Sequence, residues 1–336
     1  MSIRIAINGF GRIGRDYLRA SLHSEDVEVV AINDVTDTVS LARLLRHDST
    51  FGPLDRDVEA LDDTLVVDGR KIAVTAIREP ADLPWREFGV DIVIESTGKF
   101  RTREAAGAHL TAGAKKVLIS APGKGVDATI VLGVNDEIYD ADKHHVISNA
   151  SCTTNCLAPM VKVLQDTFGI ERGFMTTVHA YTNDQNVLDG PHKDPRRARA
   201  AAVNIIPTTT GAAKAVAEVI PAIAGKLDGV ALRVPVVDGS LVDLAVLLDR
   251  ETTAAEVNAA FKAAAECGPL SAYLDYTDEP IVLTDIVGSP ASCTFDSDMT
   301  CVLDGGFVKI IGWYDNEWGY SNRTAELMKL LADKGL

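Results

Sequence analysis

Gly9-Phe10-Gly11-Arg12-Ile13-Gly14 follows an apolar, β-branched run at residues 3–8 and opens a helix-period segment at 12–22. The six residues fit G-x-G-x-x-G, and Asp34 stands 20 residues after Gly14, just past a second β-branched run at 27–33. The motif alone is weak. Its force comes from the strand before it, the helix after it and the carboxylate at the next strand end. Glycines at the first two positions let the backbone turn tightly and approach a pyrophosphate, which the helix N-terminus meets with N–H donors and its positive dipole end. Asp34 would accept from ribose hydroxyls and repel a 2′-phosphate, so the pattern predicts a Rossmann-type fold that takes NAD rather than NADP.

The same alternation continues. A helix is predicted at 39–47, a hairpin at 65–76 around Asp68-Gly69, strands at 91–95 and 116–120, and a helix at 103–110. Buried strand, helix, buried strand argues a doubly wound parallel sheet. Near residue 150 the pattern changes. A helix at 152–168 leads into long strands at 173–181, 230–237 and 242–249, an Ala-rich helix at 254–267, a strand at 307–314 and a closing helix at 317–332. This second part reads as α+β with a mainly antiparallel sheet covered on one face. The 336 residues thus divide into a dinucleotide-binding domain at 1–150, completed by the helix at 317–336, and a catalytic domain at 151–316. An extended polar loop at 183–207 has no period of its own, as functional or interface segments often do not.

Lys and Arg number 33 against 48 Asp and Glu, a formal net charge of −15. Such a field repels nucleic-acid backbones and anionic membranes, so an anionic substrate must be met by a local cluster of cations or N–H groups. The five cysteines, none before Cys152, do not form a secreted disulfide pattern. No leader-like segment and no long apolar run is visible, which predicts a cytoplasmic protein with free thiols and no membrane contact.

The second informative stretch is Ser148-Asn149-Ala150-Ser151-Cys152-Thr153-Thr154-Asn155-Cys156. Ser151 is a candidate N-cap, which puts Cys152 in a helical first turn where unpaired N–H groups and the dipole favour thiolate. Cys156, one turn on, reads as a small packed residue, and Pro159 should kink the helix. Cys152 and Cys156 lack the C-x-x-C spacing and a second ligand pair, so no metal is expected. Of seven histidines, His179 is the candidate base: it is a lone ionisable group in the strand-like run Thr176-Thr177-Val178-His179-Ala180-Tyr181-Thr182. Arg233, on an otherwise apolar strand, is costly to bury without an anion. Thr208-Thr209-Thr210-Gly211 before an Ala-rich helix offers hydroxyls and a helix start to an oxyanion, although N-capping alone would explain any one of those threonines.

Asn8–Arg15, Ser151–Cys156 and Trp313-Tyr314-Asp315-Asn316-Glu317-Trp318-Gly319-Tyr320 resemble the phosphorylating glyceraldehyde-3-phosphate dehydrogenase family, from residue 3 to the C-terminus. The resemblance implies that Cys152 attacks the substrate aldehyde and that His179 activates the thiol. A thioester would follow and be cleaved by inorganic phosphate, giving 1,3-bisphosphoglycerate. It further implies that Ser151, Thr153, Thr182, Arg197, Thr210, Gly211 and Arg233 hold the two phosphate groups. Arg12 and Ile13 would lie at the pyrophosphate, Arg78 and Ser120 further along the dinucleotide, and Asn316 at the nicotinamide carboxamide. The loop at 189–199 resembles a segment that lies in the core of a homotetramer, with His192, Lys193, Arg196, Arg197 and Arg199 in interface pairing and phosphate contact. Two departures from the family pattern are Gly190, where Leu precedes the proline in NAD-specific members, and Asp238-Gly239-Ser240, where Asn-Val-Ser is commoner. The neighbouring reading is erythrose-4-phosphate dehydrogenase, which releases an acid by hydrolysis; a scaffold without turnover is disfavoured by the presence of both Cys152 and His179.

Overall fold

The computed structural model describes residues 2–336, and the chain divides into two units. The first comprises residues up to Ile130, Glu137–Ala150 and Ser321–Leu336; the second comprises Val131–Asp136 and Ser151–Tyr320.

In chain order the first unit holds β1 (Ile3–Asn8), α1 (Arg12–Ser21), β2 (Val27–Asn33), α2 (Thr38–Arg46), β3 (His47–Asp48) and β4 (Gly52–Pro53). It continues with β5 (Val58–Leu61), β6 (Thr64–Val67), β7 (Arg70–Thr75), β8 (Ile92–Glu95), α3 (Arg103–Thr111), β9 (Lys116–Ile119), β10 (Ala128–Thr129) and β11 (Val146–Ser148). Nine of these strands form one sheet in the order β10-β11-β9-β8-β1-β2-β7-β6-β5. It is parallel from β10 to β7. β5 to β7 close it as an antiparallel meander. Its centre is apolar on both sides, with Ile5, Ile7, Val93, Ile94, Val117 and Leu118 sealed from solvent. Asp68 and Gly69, both at positive φ (48° and 77°), turn β6 into β7 as two-residue hairpins require. β5, only four residues long, is too short to show a period in the sequence.

β1 lies at the sheet centre, with β2 on one side and β8 on the other. Residues just past the carboxyl ends of these strands therefore surround the point where the strand order reverses. A buried polar network lies beneath it. Trp85 Nε1 donates to His109 Nδ1 (3.0 Å), which leaves the His109 Nε2 proton for Glu95 (3.0 Å). Glu95 also accepts from Asn8 Nδ2 (2.6 Å), and Asn33 Nδ2 donates to Asn8 Oδ1 (2.7 Å).

The second unit holds α4 (Cys152–Phe168), β12 (Ile170–Ala180), β13 (Ile206–Thr209), α5 (Ala212–Val219), β14 (Leu227–Val234), β15 (Ser240–Leu248), α6 (Ala254–Glu266), β16 (Leu274–Thr277), β17 (Cys293–Leu303) and β18 (Phe307–Tyr314). α7 (Trp318–Lys334) starts at its end and continues into the first unit. Seven strands pair in the order β13-β14-β12-β15-β18-β17-β16. The sheet is mainly antiparallel, but β12 runs parallel to β14 and β16 to β17. β12 and β14 are parallel because the chain returns through a loop, β13 and α5 rather than a hairpin. β17 lacks a clear alternation in sequence, since Thr294, Asp296, Ser297, Asp298 and Thr300 dominate it and its register breaks between Asp296 and Cys301. Along β15, Val242, Leu244 and Val246 are sealed while their neighbours are half-open, so one face is covered; α4 and α6 pack on the sheet. The other face leaves Phe174 72% exposed, with Val230, Leu303 and Phe307 also open.

Candidate active site

At the glycine turn, Gly9 has φ +96°, and a Cβ there would stand 2.7 Å from the Thr97 nitrogen. Gly14 is closed in the same way, because its Cβ would meet the Gly9 carbonyl oxygen. Gly11 is the opposite case: nothing lies within 4 Å of its Cβ position, and it caps α1 without a side-chain acceptor. The turn thus presents open space at a helix start. Asp34 is oriented by two backbone donors, Phe10 N (2.8 Å) and Thr36 N (2.9 Å). Ser120, one residue past β9, donates from Oγ to the Glu95 carbonyl (3.2 Å), and Arg78 is exposed beyond β7. Arg12 turns its guanidinium onto Asp48 and Asp16 and over the Phe51 ring. These residues fit a dinucleotide.

In the second unit, Ser151 Oγ accepts from Thr154 N (3.0 Å) and caps α4, so Cys152 is its first residue. Cys152 Sγ lies 3.5 Å from His179 Nε2, near the end of β12. Thr153 Oγ1 and Thr177 Oγ1 both bond the Tyr314 hydroxyl (2.8 and 2.9 Å), and the Tyr314 ring meets His179 edge-on. Tyr314 therefore ties the helix start to the strand that carries the histidine. Tyr314 belongs to the run that carries the family resemblance, but the bracing role of its hydroxyl has no mark in the sequence.

The electrostatics correct one sequence expectation. Cys152 keeps some open surface, yet the dense surroundings of its sulfur push the thiol up, against Arg233 and the bonds from Thr153, which pull it down. His179 is pushed down to about 3, first by burial and then by Arg233. Both shifts run toward the uncharged forms, thiol and imidazole. The helix start is outweighed by desolvation. Pro159 sits inside an α4 that runs unbroken to Phe168. Cys156 is sealed, with its sulfur 3.6 Å from the Gly312 carbonyl oxygen.

Arg233 faces His179 across the β12–β14 pairing. Its Nη1 bonds the Ala180 carbonyl oxygen (3.0 Å), while its buried Nε has no partner among the described residues. Arg197 is close enough for the two cations to repel. Arg197 is itself held by Asp184, Thr208 Oγ1 (2.8 Å) and the Thr209 carbonyl oxygen (3.1 Å). Thr182 Oγ1 accepts from Asp184 N (3.3 Å), and Thr210 Oγ1 accepts from Ala212 N (3.2 Å) beside Gly211, the N-cap of α5. Part of the basic loop is paired within itself, with Arg199 on Asp189 (3.0 Å) and His192 beside Asp184 (3.5 Å). Asn316 Oδ1 accepts from Ser240 Oγ (2.7 Å), which fixes the amide with Nδ2 as its free-facing donor. Ser240 in turn accepts from Ala180 N (3.2 Å) and lies opposite His179 in register. Sequence reasoning had no route to that link, because the register between β12 and β15 is set only in the sheet. Asp238 is sealed beside Asp315 and Glu317, and burial together with those carboxylates pushes it up to about 9.

Two family models match the chain: the glyceraldehyde 3-phosphate dehydrogenase NAD binding domain over residues 3–103, and the C-terminal domain of the same enzyme over 151–316. The chain belongs to the glyceraldehyde 3-phosphate dehydrogenase family. Among similar members, glyceraldehyde-3-phosphate dehydrogenase 2 of Streptomyces avermitilis is 62% identical over 328 residues, covering 97% of this chain and 98% of the relative. The glyceraldehyde-3-phosphate dehydrogenase of Geobacillus stearothermophilus is 59% identical over 336 residues, the full length of both. As in the family model, NAD is the cofactor and the first unit carries its binding domain. Among the described residues, no cluster of three or more His, Cys, Asp or Glu could hold a metal ion, and no helix is long and apolar enough to cross a membrane.

Proposed function

We propose that this chain oxidises glyceraldehyde 3-phosphate with NAD and inorganic phosphate to 1,3-bisphosphoglycerate, with Cys152 as nucleophile and His179 as its proton partner. The observation that carries the assignment of residues is the 3.5 Å approach of Cys152 Sγ to His179 Nε2 at a capped helix start. Cys152 sulfur adds to the aldehyde carbon and forms a thiohemiacetal, whose hydroxyl proton His179 removes. The chemistry that bound NAD would supply is acceptance of a hydride from that carbon. The thioester left on Cys152 keeps the carbonyl activated, and phosphate oxygen attacks it, returning the sulfur. Arg197 and Arg233, with Ser151, Thr153, Thr182, Thr210 and Gly211, hold the phosphate groups. The partnerless Nε of Arg233 supports this role. Gly9, Gly11, Arg12, Ile13, Gly14, Asp34, Arg78 and Ser120 bind the dinucleotide, and Asn316, aimed by Ser240, meets the nicotinamide amide.

The working form is a homotetramer. The open apolar side of the second sheet, with Phe174, Val230, Leu303 and Phe307, supports an assembly that covers it. Cytoplasmic placement is supported by five free thiols.

The deciding assay follows NADH formation from glyceraldehyde 3-phosphate with and without phosphate. Turnover is expected to depend on phosphate; phosphate-independent turnover with erythrose 4-phosphate preferred would overturn the reading. For Asp34→Gly, the ratio of kcat/KM for NAD to that for NADP is expected to fall roughly 10-fold or more, since bonds to a charged acceptor contribute about 1.5–3 kcal/mol. An unchanged ratio removes Asp34 from the ribose.

A further inference from the structure

Asp238 lies in the turn from β14 to β15, is 1% exposed, and has neither carboxyl oxygen in a hydrogen bond among the described residues. The strand register decides what it faces. Ser240 pairs with Tyr314 across the antiparallel β15–β18 ladder, so the residues before Ser240 run beside those after Tyr314. Gly239, at φ +83° and against Leu283, turns the chain between Asp238 and Ser240. Asp238 thereby comes within hydrogen-bond reach of the Asp315 side chain, with Glu317 close by. Asp315 is already engaged as an acceptor: Oδ1 takes Glu317 N (2.9 Å) and Trp318 N (2.6 Å), and Oδ2 takes Gly288 N (2.7 Å). Three N–H bonds favour the charged form of a carboxyl, and two adjacent buried carboxylates repel. The charge therefore belongs on Asp315 and the proton on Asp238, which donates to it. Burial and the two acidic neighbours push Asp238 up to about 9, in agreement.

The two ends of this bridge flank the residue assigned to the nicotinamide. Asn316 directly follows Asp315, and Ser240, two residues past Asp238, holds the Asn316 amide through Oδ1 (2.7 Å). We propose that Asp238, as a neutral acid bridging to Asp315, is a positioning residue for the Asn316 amide, and that loss of its proton in alkali weakens NAD at the nicotinamide end. This role rests on reading Asn316 as the nicotinamide contact. The ionisable groups that act most strongly on Asp238 are Asp315 and Glu317, both from the link between β18 and α7. The connection between β16 and β17 supplies the Leu283 side chain against Gly239 and the Gly288 N–H on Asp315. When hydroxide takes the Asp238 proton, leaving water, two carboxylates face each other with no proton between them. Their repulsion pushes the start of β15 away from residues 315–317, and the bond from Ser240 to Asn316 spans that gap. Proton and dinucleotide are then linked reciprocally, so bound NAD raises the pH at which Asp238 ionises.

The experiment measures binding of NAD to the full chain by titration calorimetry from pH 7 to pH 10, beside ADP-ribose, which lacks the nicotinamide and so does not report on Asn316. The NAD dissociation constant is expected to rise roughly 5-fold or more over that range, setting in near pH 9, while that of ADP-ribose changes little. Asp238→Asn keeps a neutral donor to Asp315, and its NAD affinity should stay flat at the parent's pH 7 level. Infrared spectra without NAD read the proton itself: the parent should show an acid carbonyl band at pH 7 that is lost by pH 10 and missing from Asp238→Asn. The comparison of NAD with ADP-ribose uses the parent alone, so it holds even where the variant fails to fold. No acid band at pH 7 overturns the neutral Asp238. An NAD affinity that does not change with pH, an equal loss for ADP-ribose, or the same loss in Asp238→Asn overturns its link to the cofactor. Asn316→Ala checks the underlying reading: binding of NAD as tight as the parent's removes Asn316 from the nicotinamide, and this role with it, while the acid band is untouched.

Discussion

Cys152→Ser is expected to lower kcat for NADH formation by about 10⁴-fold or more, with the melting temperature nearly unchanged. The substitution replaces sulfur by oxygen in a first turn whose cap, Ser151 to Thr154, does not involve the side chain of residue 152. An alkoxide is far harder to form than a thiolate, and an oxygen ester would not keep the acyl group as activated toward phosphate as a thioester does. The check is steady-state turnover together with a rapid-mixing burst of NADH, which the parent should show and the variant lack. A variant within tenfold of the parent would leave the 3.5 Å contact of Sγ with His179 as packing alone.

The second large effect combines rate and stability. His179→Asn removes the proton partner and is expected to lower kcat by about 10²–10⁴-fold. The same change alters how stability responds to acid. An unfolded histidine titrates near 6.5, and burial with Arg233 beside it pushes His179 in the fold down to about 3. Between those values the unfolded chain binds more protons than the folded one, so stability is present above about pH 6.5 and falls as pH drops toward 3. The slope approaches about 1.4 kcal/mol per pH unit, or about 2 kcal/mol between pH 7 and pH 5. Denaturant midpoints of parent and variant at those two pH values measure it. The parent should lose that much more stability than His179→Asn on acidification, and equal losses would show that the imidazole is solvated and ordinary.

Much of this was legible in the chain because it is local. β1, β2, α4 and β18 run where apolar period, caps and turns put them, and Ser151 caps α4 through an atom three residues from its partner. The glycine turn is equally local: positive φ at Gly9 and the open side of Gly11 follow from the missing Cβ atoms. β17 was hidden by its polar residues, and the parallel pairing of β12 with β14 by the absence of any sequence mark for register. The thiol is the sharpest case. A cap and a first-turn position argue for a low value, but burial raises Cys152, and burial is a property of everything packed around it.

The order of residues by itself determined the class of fold and the dinucleotide turn, since each depends on spacings within a few helical turns or strand ends, and it singled out Cys152 and His179 as the proposed nucleophile and base. Tertiary structure alone decided which nitrogen of His179 faces the sulfur, that Ser240 aims Asn316, and that Tyr314 braces Thr153 and Thr177. Those contacts join residues some 27 to 161 positions apart. Hydrogen-bond geometry over such separations exists only after the sheet has chosen its register.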